Sequence, residues 1–269
     1  MPEINLNYPI LIEIGGSSGS GFIFHHPLTH RLYLATAEHV LFNQRSGELL
    51  GPTMTLHIPT GVRDTPKKIV ADVNKLIFRK KNSVDIVVVE IAETGDADNT
   101  ADNETYHIKF VDGISKHKNT KNVTFTHVPF DSFIKFEDVR IGNDVFVLGY
   151  PSSLAGEQIE YDRPLLRKGI IAGINVPKKT IVIDCPVYFG NSGGLALQVS
   201  GAPGNFKYNA IGVVSQYVPF VDELTSRRLG FVNTSVENSG YGIVVPTDTI
   251  FDLTNEEPEE GIEVQASIK

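Results

Sequence analysis

Apolar and polar residues alternate in short runs along most of this chain, and stretches with a helical period are scarce. Strict alternation marks a half-buried strand, and a short unbroken apolar run marks a strand buried on both faces. On that basis the first half carries strands at Tyr8–Ile14, Phe22–Phe24, Arg31–Thr36, Thr53–Ile58, Lys68–Val73 and Asp85–Ile91. The second half carries them at Val145–Gly149, Leu165–Ile174, Thr180–Asp184, Leu195–Val199, Ala210–Ser215 and Tyr241–Val245. Val123–Val128 alternates in the same way. Gly15–Gly21 is rich in glycine and serine and reads as a hairpin turn. It lacks the Gly-Lys-Ser/Thr ending of a phosphate loop, and a strand follows it instead of a helix. Ala37–Leu41 reads as a short helical turn, and Pro246–Leu253 as a short terminal helix with Thr247 or Asp248 near its cap. Residues 93–104 are polar and acidic without periodicity, and read as a loop or an inter-lobe linker. With about six strands in each half and no strand–helix alternation, the natural architecture is all-β, as two antiparallel barrels or a sandwich. The expected division is a lobe over residues 1–125, a second over 126–253 and an acidic tail over 254–269.

Composition narrows the partners. The 269 residues carry a net charge of −8, which argues against nucleic acid or an anionic membrane as the main partner. The acidic groups cluster at Asp96–Glu104 and Glu256–Glu260, both read as solvated loop or tail. Cys185 is the single cysteine, so no disulfide can form within the chain. The start shows no basic segment followed by a long apolar one, and no apolar run reaches the length of a membrane span. A cytosolic location is the expectation. His25, His26 and His30 lie close together, but their spacing matches no common zinc pattern, and they read as exposed loop histidines. No metal and no cofactor are expected.

One stretch carries candidate chemistry. Gly190-Asn-Ser-Gly-Gly194 sets Ser192 among glycines after a short apolar run. A serine nucleophile needs a sharp backbone turn, a clear Oγ and nearby N–H groups aimed at one spot. A glycine-rich turn with an incidental serine has the same appearance. The stretch also matches G-x-S-x-G, the nucleophile elbow whose acid and histidine follow the serine in the chain. All eight histidines (His25, His26, His30, His39, His57, His107, His117 and His127) precede Ser192, which excludes that arrangement. The order Asp, His, Ser fares little better, because the first aspartate is Asp64 and only the last three histidines follow it. The order His, Asp, Ser remains. His39 stands at a strand end, and Asp85 opens an apolar strand where a carboxylate can be partly buried and still reach an imidazole. In those roles Ser192 attacks a carbonyl, His39 moves the proton and Asp85 holds the imidazole. The N–H groups of Gly190 and Ser192 would form the oxyanion hole.

Here the sequence resembles the trypsin/chymotrypsin family. Thr36-Ala-Glu-His39 is similar to its Thr-Ala-Ala-His motif, Val84-Asp-Ile-Val-Val88 to its Asp-Ile-Ala-Leu motif, and Gly190–Gly194 to Gly-Asp/Asn-Ser-Gly-Gly. Gly19-Ser-Gly-Phe-Ile23, Val147-Leu-Gly-Tyr-Pro151 and Gly242-Ile-Val-Val-Pro246 resemble the bacterial HtrA-type branch and related cytosolic peptidases. The resemblance implies two antiparallel six-stranded Greek-key barrels, with a catalytic cleft between them, and a serine endopeptidase acting on peptide or protein substrates. It also implies a substrate pocket at Pro186, Val187 and Tyr188, with a second wall at Ser215, Gln216 and Tyr217. Pro186 takes the place of the acid that selects Lys or Arg, so an apolar or small residue is expected before the scissile bond. The chain departs from the secreted members. It has no Ile-Val-Gly-Gly-like start, Asn191 replaces the acid that pairs with a freed N-terminus, and no PDZ-like module follows. Two other readings use the same residues: a catalytically silent peptide-binding module, and an esterase or acyltransferase. A regulatory protein partner or an oligomer is compatible with all three.

Overall fold

A computed structural model describes residues 1–61, 63–100, 103–115, 126–154, 159–226, 228 and 230–255, with the backbone alone described over 96–100, 103–107 and 226. The first half holds strands β1 (Pro9–Ile14), β2 (Ser17–His26), β3 (Arg31–Thr36), β4 (Thr53–Ile58), β5 (Lys67–Asp72), β6 (Phe78–Lys80), β7 (Val87–Thr100), β8 (Asn103–Phe110) and β9 (Ile114–Ser115). A single helical turn, α1 (Glu38–Leu41), follows β3. The second half holds β10 (Asp144–Gly149), β11 (Leu165–Asn175), β12 (Thr180–Asp184), β13 (Leu195–Ala202), β14 (Asn205–Ser226) and β15 (Phe231–Pro246), then helix α2 (Asp248–Asn255).

The second half closes as a six-stranded barrel in the order β10-β11-β12-β15-β14-β13. The first is a barrel-like nine-stranded sheet running β6-β7-β3-β2-β1-β4-β5-β9, with β8 beside β7. Its strand count is nine where the hydrophobic pattern gave six. Side-chain alternation explains why so many strands are apolar throughout. Successive residues of a strand face opposite sides of the sheet. Ile23, Leu32, Leu34, Val87 and Val89 point into the first barrel. Their neighbours Phe22, Phe24, Tyr33, Ala35 and Val88 point out of it, and pack with Leu148, Leu195, Leu197, Val213 and Val245 of the second. A third cluster, including Val145, Ile171, Ile183, Cys185 and Val244, fills the second barrel. The contact between the halves is thus a core in its own right, and Ile250 and Leu253 of α2 help to close it. At roughly 1.5–3 kcal/mol for each large apolar side chain buried, it joins the two halves strongly.

The structure corrects several sequence expectations. The tight turn after β1 is confined to Gly15 and Gly16, both at positive φ, and Ser17–Gly21 belongs to β2. Residues 93–104 fall largely within the β7–β8 hairpin, with Asn99 opposite Glu104. Polar residues at both alternating sets of positions hid the strand period. Likewise Ala210–Ser215 and Tyr241–Val245 are parts of a much longer ribbon, β14–β15, paired out to Ser226 and Phe231. His25 and His26 are buried at the end of β2, where the His26 ring meets Phe130 at 4.7 Å, while His30 stays exposed. Residues 123–125 lie outside the described residues, and Val128 bridges to Phe24. Among the described residues no helix is long and apolar enough to cross a membrane.

Candidate active site

The three candidate residues arrive from separate elements. His39 is the second residue of α1, which the end of β3 delivers to the domain contact. Asp85 sits at the centre of a tight turn, closed by Ile86 N–H on the Val84 carbonyl at 2.8 Å, just before β7. Ile86 is fully buried beside it and anchors the turn. The two then meet directly. His39 Nδ1 lies 2.8 Å from Asp85 Oδ2 and 3.0 Å from Oδ1, and His39 N–H donates to Oδ1 at 3.1 Å. An Nδ1–H held by the carboxylate leaves Nε2 as the acceptor face of the neutral ring.

Ser215 completes the setting of the carboxylate. Its hydroxyl donates to Asp85 Oδ2 at 2.5 Å. Burial raises the Asp85 carboxyl, but the His39 ring and backbone bonds, the attraction to the imidazole and the Ser215 hydroxyl outweigh it. The group is held below its ordinary value. The sequence marked Ser215 as a pocket wall. Its hydroxyl contact with Asp85 spans 130 positions, and no local pattern announces it.

Ser192 sits on a turn whose glycines are sterically required. Gly190 and Gly193 have φ of 93° and 85°. A Cβ on Gly190 would stand 2.1 Å from the Tyr150 carbonyl, and one on Gly193 1.9 Å from the Ser20 carbonyl. The chain is pinned on every side. Asn191 N–H donates to Tyr188 O, Gly193 N–H to Val214 O and Gly194 N–H to Asn191 O, at 2.7–3.0 Å. From the first barrel, Ser20 N–H donates to Ser192 O at 2.8 Å, and Ser20 Oγ to Gly190 O at 2.6 Å. The Phe189 carbonyl faces Ser153 N–H at 3.4 Å. In a planar trans peptide the N–H points opposite to the C=O, so Gly190 N–H is turned the other way. Within residues 190–194, Gly190 and Ser192 are the two whose N–H groups meet no backbone carbonyl among the described residues. Ser192 Oγ donates to the Ser215 carbonyl at 3.0 Å and not to the His39 ring.

The expected pocket residues gather beside this turn, with unequal exposure. Val187 is buried in the second barrel, and its carbonyl accepts from Asn238 Nδ2 at 2.6 Å. Pro186 and Tyr188 are half-buried, and Arg167 stacks over the Tyr188 ring at 4.5 Å. Gln216 is exposed, and Tyr217 meets the largely exposed Phe189 ring edge-on at 5.9 Å. No group of three or more His, Cys, Asp or Glu among the described residues is placed to hold a metal.

Two barrel-like halves with a buried seam, the first carrying a His–Asp pair and the second a serine on a glycine-bound turn, define a serine-protease-like architecture. The family model of the trypsin-like peptidase domain matches residues 19–203, and the chain belongs to that family. No curated protein matches the sequence. Solved structures share the fold at low identity. A substituted human heparin-binding protein (CAP37) aligns at 13% identity and TM-score 0.53, over 97% of this chain and 96% of its own. The thermostable serine protease AL20, from an extremophilic microorganism, aligns at 13% identity and TM-score 0.53, over 94% of this chain and 97% of its own. The HtrA-type protease AlgW, in a substituted form with a tripeptide, aligns at 18% identity and TM-score 0.50. That match covers 94% of this chain, which spans 60% of the AlgW chain. One of the three is named for heparin binding, so the fold alone does not carry the activity.

Proposed function

We propose that this chain is a serine endopeptidase that hydrolyses peptide bonds through an acyl-enzyme, with His39, Asp85 and Ser192 as the catalytic residues. The observation that carries this reading is the doubly bonded His39–Asp85 pair, set against a serine whose turn leaves two N–H groups without backbone acceptors.

The chemistry follows from these contacts. A substrate amide takes up the Ser215 carbonyl and the Ser192 hydroxyl rotates from it to His39 Nε2. The ring accepts the proton as Oγ attacks the carbonyl carbon. Asp85 stabilises the imidazolium, and Ser215 keeps the carboxylate ionised and in place. The N–H groups of Gly190 and Ser192 meet the developing oxyanion, each worth about 2.7–4 kcal/mol in comparable sites. His39 then protonates the leaving amine, and water repeats the sequence on the acyl-enzyme. Pro186, the Tyr188 ring and the lack of an acid at this position favour an apolar or small side chain before the scissile bond.

Hydrolysis of a mixed internally quenched peptide library tests the reading. The expected result is endoproteolysis by the wild type and a loss of kcat of roughly 10⁶-fold in Ser192→Ala. Ester turnover without peptide turnover would assign the same residues to an esterase.

A further inference from the structure

The two longest strands of the second half end in an arm that the barrel does not use. β14 and β15 stay paired from Pro219 opposite Asn238 out to Ser226 opposite Phe231. From 219 to 237 every residue whose side chain is described is exposed, so the arm has no packed face. A two-stranded ribbon alone is at best marginally stable in water, and a third strand or a covered face is what stabilises it.

The two edges of the arm differ. β12 covers the outer edge of β15 only at residues 241–244. Over 231–237 that edge has no strand partner among the described residues. Exposed edges are blunted by charge, proline or a covering segment, because their free N–H and C=O groups recruit other strands. Phe231-Val-Asn-Thr-Ser-Val236 holds no charged residue and no proline, in a chain of net charge −8. Val232 and Val236 are 60% and 59% exposed. The edge of β14, on the other side of the arm, carries Asp222 and Glu223.

The uncharged edge is complementary to itself. A second copy laid antiparallel about Thr234 sets Thr234 against Thr234, Val232 against Val236 and Phe231 against Glu237. No like charges meet, and Thr–Thr and β-branched pairs are favourable across antiparallel strands. β14 continues the same rows, because Val221 lies opposite Val236, Glu223 opposite Thr234 and Thr225 opposite Val232. The exposed tip with Arg228 comes up beside Glu237 of the second copy. Pairing through the middle of β14 would instead oppose Asp222 to Glu223 of the second copy.

We propose that this chain forms a two-fold dimer through its arms, in which the outer edges of two β15 strands pair over residues 231–237 and complete a four-stranded antiparallel sheet. Such a contact uses the same patch on both copies and closes on itself, so it stops at two. The paired edge is about 23 Å long at strand rise, which keeps the two bodies at opposite ends of the sheet. The dimer does not depend on catalysis, and its test needs no turnover.

The test is sedimentation of the full chain between roughly 1 and 100 µM, with variants at the two-fold. The wild type should pass from monomer to dimer. Thr234 is exposed, so its substitution spares the monomer. Thr234→Lys and Thr234→Glu should each weaken the dimer about fivefold or more, because like charges then face each other. Mixed in equal amounts, the two should regain wild-type association as a mixed pair. Thr234→Cys reads the register. Opposed residues hold their Cβ atoms about 4.5–5.5 Å apart, so mild oxidation should give a covalent dimer, and Glu223→Cys on β14 should give none. The native Cys185 is fully buried and takes no part. A chain with 220–237 replaced by Asn-Gly, joining the facing Pro219 and Asn238, should be monomeric. A wild type that stays monomeric throughout overturns the proposal, as do charged Thr234 variants that dimerise like wild type. So does cross-linking at Glu223→Cys but not Thr234→Cys, or a dimer that survives loss of the arm.

Discussion

Ser20 Oγ donates to the Gly190 carbonyl at 2.6 Å, joining the first barrel to the turn that carries Ser192 across 170 positions of chain. Ser20 is fully buried, and its Oγ also accepts from Tyr150 N–H at 2.8 Å. Thr36 Oγ1 bonds the Ser20 carbonyl at 2.7 Å. One side chain thus fixes the peptide that follows Gly190 and the strand end before the Tyr150 loop. Ser20→Ala leaves a buried carbonyl and a buried N–H unpaired, at about 1–3 kcal/mol each. The expected outcome is a lower urea midpoint and a 10- to 100-fold loss of kcat, roughly, with KM little changed. Unchanged kcat in a folded variant would remove Ser20 from the positioning of this turn.

Gly193 tests the close approach of the barrels. Its φ is 85°, and a Cβ would meet the Ser20 carbonyl at 1.9 Å and Thr36 Oγ1 at 2.2 Å. Both contacts are with groups fixed in β2 and β3. Gly193→Ala should therefore destabilise by more than about 3 kcal/mol, read by chemical denaturation. A variant as stable as wild type would show that the halves can separate locally at no cost.

Asp85 links activity to acid stability. Its carboxyl lies below the ordinary value in the folded chain. The stabilisation is therefore fully present above the unfolded carboxylate value of about 4 and is lost as pH falls through the lower folded value. Asp85→Asn should lower kcat by roughly 10⁴-fold, because the imidazole loses its orienting charge. Its urea midpoint should lie below wild type at neutral pH, with the gap narrowing under acid. A gap that does not change with pH would contradict the assigned role of the carboxylate.

Cys185 is fully buried in the second barrel, and burial is the main cause that pushes its thiol up to about 11. A buried thiol of this kind is neither exposed nor ionised near neutrality. Thiol reagents should leave native protein unmodified at pH 8 and label one equivalent after unfolding. Stoichiometric labelling of the native chain would show that the barrel opens.

How much of this was legible in the sequence depended on where each signal lay. The barrel strands showed clearly, because Phe22–Phe24, Tyr33–Ala35 and Val87–Val89 are apolar on both faces and local pattern records that. The β7–β8 and β14–β15 extensions leave the barrels, lose the one-sided apolar period and merged with loop. The glycine-rich setting of Ser192, the chain order His, Asp, Ser and the short motifs around each residue drew attention to His39, Asp85 and Ser192. The bonds of Ser215 and Ser20 join residues 130 and 170 positions apart, and only the folded barrels bring them together. Ser20 lay within a glycine-rich stretch read as a turn, of which only Gly15 and Gly16 form the turn, while Gly19 lets β2 pass close to the Ser192 carbonyl.

The central claim is that Ser192 is an activated nucleophile. Labelling with a fluorophosphonate, followed by peptide mapping, tests it most directly. The account predicts one equivalent of label on Ser192, and slow or absent labelling in His39→Ala. Native protein that stays unlabelled, under conditions that fully label a known serine protease, would contradict it.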